Sequence, residues 1–383
     1  MSKVKLFSNP TNSVKLTLSN ANQRNVSFLD FIKESCPSLY GIKAVYNPTS
    51  FLFNGHLQTG YAAYYNKSPT TNEIVYQREL IDTPDGGCLA LDWCPSKQVD
   101  SNNKETPTLV VLHGLTGGSH ESYIRSLLEV TFPPFNYRAV VMNSRGCANS
   151  DIKTPQMYSG GYTDDLRVAL SHIQDKLGKE TPLVGIGFSL GSNILVKYLG
   201  EEKEKAPFKA GISVGNPFDF ERSMGQLNES YIGRHVYSAA MAKNLKNAFV
   251  RHSDILAQGG KVKTEEVMAA QTIQDFDEAC TRKMFDYASV INYYHDASSN
   301  RFIEHVKVPL LCMNALDDPI AAAKCIPYKE IEANPNVVLA TTNTGGHLGW
   351  FEHTRNPTRW VVKPLTEFIV SIFQVSERES VLF

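Results

Sequence analysis

The sequence has no long apolar run and no excess of charge of either sign. No stretch of 18 apolar residues occurs, and residues 1–20 lack the apolar core and small-residue cleavage site of a signal peptide. We therefore expect neither a membrane span nor secretion. The 38 lysine and arginine residues face 39 acidic ones, and the net charge of -1 gives no reason to expect a nucleic acid as partner.

The cysteines are equally uninformative about a metal or a disulfide framework. Seven are scattered along the chain, with no CxxC pair and no Cys/His spacing suited to zinc. This pattern favours reduced, mostly buried thiols in an intracellular, cytoplasmic protein. The final residues SVLF form no retrieval signal or prenylation box, and peripheral association with a membrane or lipid droplet stays open, as does the oligomeric state.

From Thr108 onward, apolar runs of strand length alternate with segments of helical period. This alternation is typical of βαβ units and predicts the α/β class, with a mostly parallel sheet and helices on both faces. The predicted strands are 108–113, 138–143, 182–188, 209–214, 308–314 and 337–342, and the predicted helices include 162–177, 190–201 and 358–373.

The first 107 residues lack this alternation. Residues 1–70 contain the breakers Pro10, Pro37 and Pro48 and are predicted to be an irregular extension packed on the core. Residues 74–94 are two β-rich runs joined by TPDGG, which favours a hairpin at the sheet edge. Residues 95–107 are polar and are predicted to form an exposed loop.

One interval interrupts the α/β pattern with amphipathic stretches and no convincing strand. We interpret residues 218–300 as a helical cap inserted into a core made of 71–217 and 301–383. Such a cap shapes a substrate pocket and excludes water. Its aromatic residues either line the pocket or form the core of the cap, and we favour the second reading for Phe218, Phe220, Phe249, Tyr293 and Tyr294.

The strongest chemical signal is Gly187-Phe188-Ser189-Leu190-Gly191, which follows an apolar strand and precedes a helical run. This is a GxSxG nucleophile elbow in the strand-turn-helix context that it requires. The serine sits on a strained turn, so the neighbours two positions away on each side must be small. We therefore predict Ser189 as a nucleophile.

A serine hydroxyl needs a base, and the base needs an acid that orients it. His347 lies in the loop GGHLG after the last predicted strand, a placement that no other histidine has. Asp318 and Asp317 follow the penultimate strand. We choose Asp318, which directly precedes Pro319-Ile320, and keep Asp317 as the alternative, with a turn cap as its other role. The order Ser, Asp, His is that of the α/β-hydrolases.

Acyl transfer also needs two N–H donors for the developing oxyanion. One comes from the residue after the nucleophile, Leu190, and the other from the loop after an early strand, for which Leu115 in HGLTGG is our candidate. We assign His113 to holding this loop.

Several motifs together resemble the YheT-type family of α/β-hydrolases, which includes fungal medium-chain fatty-acid ethyl ester synthase/esterases and animal α/β-hydrolase-domain phospholipases. They are the segment FNGHLQT (residues 53–59), the loop HGLTGG, the run NSRGC (143–147), the stretch GYTDDLR (161–167) and the elbow GFSLGSN. The resemblance covers the chain from about Asn54 to its end.

This resemblance implies a serine carboxylic-ester hydrolase (carboxylesterase or lipase) acting on short- to medium-chain acyl or lipid-like esters, without metal or cofactor. Transfer of the acyl group to an alcohol is a second implied outcome. The alternatives are a phospholipase or monoacylglycerol lipase of the same family, or a non-catalytic binding protein of this fold. We interpret His56 as structural, and Arg145 with Asp164 and Asp165 as a buried ion-pair network near the pocket.

Overall fold

A nine-stranded sheet forms the centre of the molecule, with hydrophobic clusters on both of its faces. The structure is a computed structural model, and it describes residues 2–9, 16–17, 25–64, 74–95 and 106–381. The middle strands are buried along their whole length. This explains why their sequences are continuous apolar runs instead of alternating ones.

The six predicted strands are all present, and their mutual pairings are all parallel. The strands of the sheet are β1 Lys5–Ser8, β2 Gln77–Asp82, β3 Cys88–Cys94, β4 Thr108–Leu112, β5 Arg138–Asn143, β6 Leu183–Phe188, β7 Phe208–Val214, β8 Leu310–Ala315 and β9 Val337–Thr342. Their order in the sheet is β1-β9-β8-β7-β6-β4-β5-β3-β2. The strands at and near the edges, β1, β2 and β3, join by antiparallel pairing.

Helices cover the sheet and connect its strands. The final helix begins at Val362 instead of Thr358, because 358–359 pairs with 351–352 in a short ribbon. The helices are α1 Phe28–Ser35, α2 Gly55–Tyr64, α3 Ser122–Phe135, α4 Asp164–Leu177, α5 Leu190–Glu202, α6 Phe220–Glu229, α7 Ala239–Val250, α8 Ser253–Gln258, α9 Thr264–Ala269, α10 Ile273–Phe276, α11 Arg282–Met284, α12 Val290–Ala297, α13 Tyr328–Ala333 and α14 Val362–Val381, with π-helical turns at Gly233–Ser238 and Asp277–Thr281 and 3-10 turns at Lys203–Lys205, Ser299–His305 and Ala323–Cys325.

The amino-terminal region corrects one expectation. Irregular structure was wrong for its described part, because β1 extends the sheet beyond β9 and α1 and α2 pack on the core. Short paired segments, Ser2–Lys3 with Val45–Tyr46 and Leu16–Thr17 with Asn25–Val26, add to it. The hairpin expected at 74–94 is confirmed as β2 and β3 at the sheet edge. The expected loop at 95–107 falls mostly on 96–105, which lie outside the described residues.

The chain between β7 and β8 consists of helices joined by turns and short loops, with no strand, and it contributes most of a separate hydrophobic cluster. That cluster contains Leu256, Val267 and Phe276, together with Phe249. Phe249 and Phe218 are fully buried, as the core reading of the aromatics predicts. Within the described ranges, no helix combines the length and apolarity needed to cross a bilayer.

A buried arginine joins the sheet to the edge hairpin. Arg145, which follows β5, is paired with Asp165 of α4 and with Asp85 of the hairpin turn at 2.7 and 2.5 Å. The expected participation of Asp164 is wrong. Its side chain points to the surface, where it pairs with Arg167, because consecutive helix positions lie about 100° apart and only one of them can face the core. All seven cysteines are free and buried.

Candidate active site

The turn that carries Ser189 is strained in the way that a nucleophile elbow requires. Ser189 has φ 52° and ψ -117°, a conformation that non-glycine residues rarely adopt. Its N–H donates to the Val214 carbonyl oxygen at 2.8 Å, which ties the turn to β7. A Cβ atom at Gly187 would lie 2.4 Å from the Gly191 oxygen, and one at Gly191 would lie 2.5 Å from the Leu112 oxygen. Both glycines are therefore needed for the close approach of β6, α5 and β4.

The three side chains singled out from the sequence meet at the carboxyl edge of the sheet. The Ser189 Oγ and the His347 Nε2 are 2.8 Å apart, and the His347 Nδ1 and the Asp318 Oδ2 are also 2.8 Å apart. The residues come from the ends of β6, β8 and β9, which are neighbours of β7 or of each other in the sheet. The result is one hydrogen-bonded chain from hydroxyl to imidazole to carboxylate.

The geometry distinguishes Asp318 from Asp317. The Asp318 Oδ1 accepts the N–H groups of Ile320 and Ala321 at 2.8 and 2.9 Å, which leaves Oδ2 for the imidazole. The Asp318 side chain is fully buried. Asp317 points elsewhere and accepts the Gly346 N–H at 2.9 Å. Burial raises the pKa of Asp317, and the charge of Asp318 raises it further.

This arrangement fixes the protonation pattern of the imidazole. A carboxylate can only accept, so Nδ1 of His347 carries the proton that is donated to Asp318. The Nε2 atom is then the acceptor for the hydroxyl proton of Ser189. The His347 side chain is 11% exposed, so the imidazole borders the space in front of the serine without being open to bulk water. Such a chain can convert a serine hydroxyl into an acyl acceptor.

Two backbone N–H groups next to Ser189 lie free of protein acceptors. In the loop after β4, the Gly114 N–H donates to the Tyr123 hydroxyl and the Thr116 N–H to the Tyr158 hydroxyl. Across the described segments, no hydrogen bond is formed by the N–H of Leu115 or of Leu190, and both residues line the cavity in front of Ser189. They are therefore available to an oxyanion.

His113 holds this loop. Its Nδ1 donates to the Gly114 carbonyl at 2.6 Å, and its Nε2 accepts the Ser144 N–H at 3.0 Å. Complete burial lowers the pKa of His113 to about 4, so the ring is neutral at ordinary pH. The structural role expected for this residue agrees with these contacts.

Helix α2 contains the functional residues that the sequence reasoning missed. The NGHLQT segment had no chemical role in that reasoning, yet its helix lies directly against the His347 loop. The Thr59 Oγ1 accepts the His347 N–H at 2.8 Å and donates to the Gly55 oxygen at 2.7 Å. A Cβ atom at Gly346 would lie 2.4 Å from that same Gly55 oxygen, so the loop needs glycine there.

Gln58 completes the contact between α2 and the loop. Its Oε1 accepts the Phe351 N–H at 2.8 Å, and its Nε2 donates to the Leu52 oxygen at 2.7 Å. The side chain is fully buried, so both amide atoms are used inside the protein. A sequence signal for this contact was available. It is the spacing of Gly55, Gln58 and Thr59, which lie about one helical turn apart and therefore share one face of the helix.

His56 is not among the described residues that line the Ser189 cavity. Its Nδ1 is 2.8 Å from the hydroxyl of Tyr237, and the two rings stack with centroids 5.7 Å apart. This contact joins α2 to the helices between β7 and β8. It fits the structural role expected for His56.

Ser189 opens into a cavity of about 80 Å³ between the sheet edge and the helices of 220–305. Its wall is mostly apolar and includes Met157, Leu245, Phe276 and Met284. Three of the five aromatics, Phe220, Tyr293 and Tyr294, line the cavity and also belong to a buried hydrophobic cluster, so both readings hold for these three. Each of them is more than 90% buried, and they serve as core and wall at once.

The Thr59 contact generates a prediction about the reactivity of Ser189. We expect Thr59→Val to slow labelling by a serine-directed fluorophosphonate about tenfold or more, because small displacements of a base cost much of its efficiency. Thr59→Ser keeps the hydroxyl and should restore the rate. Labelling kinetics, measured well below the melting temperature of each variant, provide the check. Equal rates for Val and Ser variants would contradict a positioning role.

The chain matches known proteins over most of its length. Residues 107–354 match the family model of the α/β-hydrolase fold. Monoacylglycerol lipase of Saccharomyces cerevisiae is 32% identical over 83% of this chain and 78% of that protein. Phospholipase ABHD3 of Bos taurus is 33% identical over 85% and 77%, respectively. Medium-chain fatty acid ethyl ester synthase/esterase 2 of Saccharomyces cerevisiae is 28% identical over 93% and 92%.

These findings confirm the resemblance predicted from the motifs, which named the ethyl ester synthase/esterases and the α/β-hydrolase-domain phospholipases. The family model spans more than half of the chain, and two of the relatives exceed 30% identity over more than two thirds of their own length. The chain therefore belongs to the α/β-hydrolase fold family.

Proposed function

We propose that this α/β-hydrolase is a serine carboxylic-ester hydrolase that acts on acyl esters with an apolar chain. The observation that carries the proposal is the hydrogen-bonded chain Ser189-His347-Asp318, with both distances at 2.8 Å, at the mouth of an apolar cavity. Esterase, lipase and phospholipase names among the relatives support the same reaction class.

In the first half of the reaction His347 Nε2 takes the proton of Ser189 as Oγ attacks the ester carbonyl. The carbonyl oxygen becomes an oxyanion that accepts the N–H groups of Leu115 and Leu190. The tetrahedral intermediate collapses when His347 returns its proton to the departing alcohol, which leaves an acyl group on Ser189. Asp318 stabilises the imidazolium and keeps the ring in the productive tautomer.

In the second half the acyl-enzyme is attacked by water or by a second alcohol. His347 removes the proton of the attacking oxygen, and the acid or the new ester leaves Ser189 protonated again. The apolar wall of the cavity favours an alcohol over water, because it offers few hydrogen-bond partners to water. Acyl transfer to an alcohol is therefore our second candidate outcome of the same site.

We also propose that the protein attaches peripherally to a lipid surface through its cap. Three large apolar side chains on the turn before α7, Tyr231, Ile232 and Val236, are 79%, 46% and 52% exposed. Here they are called the cap ridge. Exposed apolar residues with neighbouring cations are typical of membrane-surface segments.

The charge around the cap ridge favours an anionic surface. No acidic residue occurs between Glu229 and Asp254, whereas this interval contains four lysine or arginine residues. Three of them, Arg234, Lys243 and Arg251, are exposed. A cationic, apolar face of this kind is attracted to anionic lipid headgroups within a Debye length.

The hydrolase proposal predicts a profile of ester turnover that depends on Ser189. We expect wild-type protein to cleave p-nitrophenyl esters between acetate and palmitate with a maximum at one chain length, and Ser189→Ala to fall by about 10⁶-fold, to the background rate. A parallel set containing ethanol measures ester synthesis. Absence of turnover by well-folded wild type on all esters would favour the non-catalytic binding protein.

The two neighbouring aspartates form a matched pair of variants. Asp318→Asn should lower kcat by about 10⁴-fold, because an amide at that position disfavours the tautomer that protonates Nδ1. Asp317→Asn keeps the oxygen that accepts the Gly346 N–H and should cost less than about tenfold. Steady-state kinetics of both variants on one ester decide the assignment, and an Asp317→Asn defect as large as that of Asp318→Asn would overturn it.

The cap ridge proposal predicts binding to vesicles. We expect wild-type protein to sediment with phosphatidylcholine vesicles that contain phosphatidylserine, and the double variant Tyr231→Ser/Ile232→Ser to lose most of this binding while keeping esterase activity on soluble esters. Leu80→Ser is the control, because Leu80 is 60% exposed on the edge strand β2. Equal sedimentation of both variants would contradict the assignment of the ridge.

A further inference from the structure

The cavity in front of Ser189 has polar groups at its cap side as well as at its catalytic side. Asp277 and Thr281, at the two ends of the π-helical turn that follows α10, both line the cavity. Tyr294 of α12 lines it beside them. The wall around these polar groups is apolar and includes Phe276, Cys280 and Met284.

The Asp277 carboxyl is buried without a charged partner. It is only 7% exposed, and in the described part of the chain no lysine, arginine or histidine nitrogen lies within salt-bridge distance of it. Its hydrogen bonds come from the hydroxyls of Thr281 and Tyr294, at 2.7 Å to Oδ1 and 3.0 Å to Oδ2. A carboxylate has about four acceptor positions, so two stay unused on a side chain that lines the cavity.

A carboxyl in these surroundings destabilises the folded state, so its presence suggests a role in binding a ligand. Burial raises the pKa of Asp277 to about 7 although both hydroxyls favour the ionised form. An asparagine would also tie the π-turn to α12, by accepting from one hydroxyl and donating to the other, without a charge to bury. The mechanism does not use Asp277, which touches none of the three residues proposed for catalysis.

We propose that Asp277 and Thr281 form a recognition subsite for a hydroxyl group on the arm of the substrate that enters the cap cavity. The inference rests on the proposed function and narrows its substrate class to esters with a hydroxylated arm. The substrate hydroxyl donates a hydrogen bond to a carboxyl oxygen of Asp277. It receives no hydrogen bond from a charged group. A purely hydrocarbon arm covers the carboxyl without offering a donor, which disfavours its binding.

The hydroxyl lies either on the acyl arm or on the alcohol arm of the ester. Matched pairs of substrates distinguish these two cases. The acyl pair is a p-nitrophenyl alkanoate and its ω-hydroxy analogue, in a series from hexanoyl to dodecanoyl. The alcohol pair is octyl acetate and 8-hydroxyoctyl acetate. For each pair, the measured quantity is the ratio of kcat/KM for the hydroxylated substrate to that for the plain one.

The test variants are Asp277→Leu, which has a similar shape and no acceptor, and Thr281→Val, which guards against a folding failure of the first. Glu278→Gln is the control, because Glu278 is an exposed neighbour that pairs with Arg282 outside the cavity. We expect the ratio for one pair to fall about tenfold in Asp277→Leu and less in Thr281→Val, with no change in Glu278→Gln. The pair that responds identifies the arm.

Two results would overturn the subsite. If wild type cleaves the plain esters and both ratios are the same in Asp277→Leu as in wild type, the subsite is wrong and the proposed function stands. If wild-type protein that labels normally with fluorophosphonate cleaves neither member of either pair, the ester hydrolase proposal fails and the subsite fails with it.

Discussion

The site depends on one hydrogen bond, between the Nε2 of His347 and the Oγ of Ser189. The bond requires two unrelated pieces of backbone to be held in unusual conformations. Ser189 is held at φ 52° by the strand β7 on one side and by helix α5 on the other. The His347 loop, with glycines at positive φ, is held by hydrogen bonds from α2 and from the loop after β8. Neither conformation would persist in an isolated segment, because each costs free energy that only the surrounding packing offsets.

The elements that hold the His347 loop come from distant parts of the sequence. Asp318 fixes its ring, Asp317 fixes the Gly346 N–H, and α2 supplies Thr59 and Gln58 from nearly 300 residues earlier. This explains why the amino-terminal region is an integral part of the fold. Its strand β1 pairs with β9, the strand that leads into the loop, so the extension supports the loop through both the sheet and the helix.

The cavity combines an apolar wall with polar groups at two sides, and this combination sets what the site can bind. Near the sheet, the free N–H groups of Leu115 and Leu190 and the chain through His347 suit a carbonyl that becomes negative. Near the cap, Asp277 lies among Phe276, Cys280 and Met284, where the low dielectric strengthens any hydrogen bond that a ligand makes. The outer side of the same helical interval carries the exposed side chains of the cap ridge.

Much of this molecule follows from local sequence. The six parallel strands, the edge hairpin and the helical interval between β7 and β8 were predictable, because apolar periodicity and turn residues act over a few positions. The GxSxG motif and the Gly-Gly-His loop identified Ser189 and His347 for the same reason, since their glycines are demanded by local backbone geometry.

Tertiary structure alone decided the rest. The two adjacent carboxylates differ only in their tertiary contacts, because Asp318 bonds to the His347 ring whereas Asp317 accepts the Gly346 N–H. Three further features also depend on long-range contacts. Arg145 pairs with Asp85 instead of Asp164, and α2 contacts the His347 loop. The third is the dual role of Phe220, Tyr293 and Tyr294. Local patterns state which residue types occur and in which conformation, but which side chains meet depends on how strands and helices far apart in the chain are packed together.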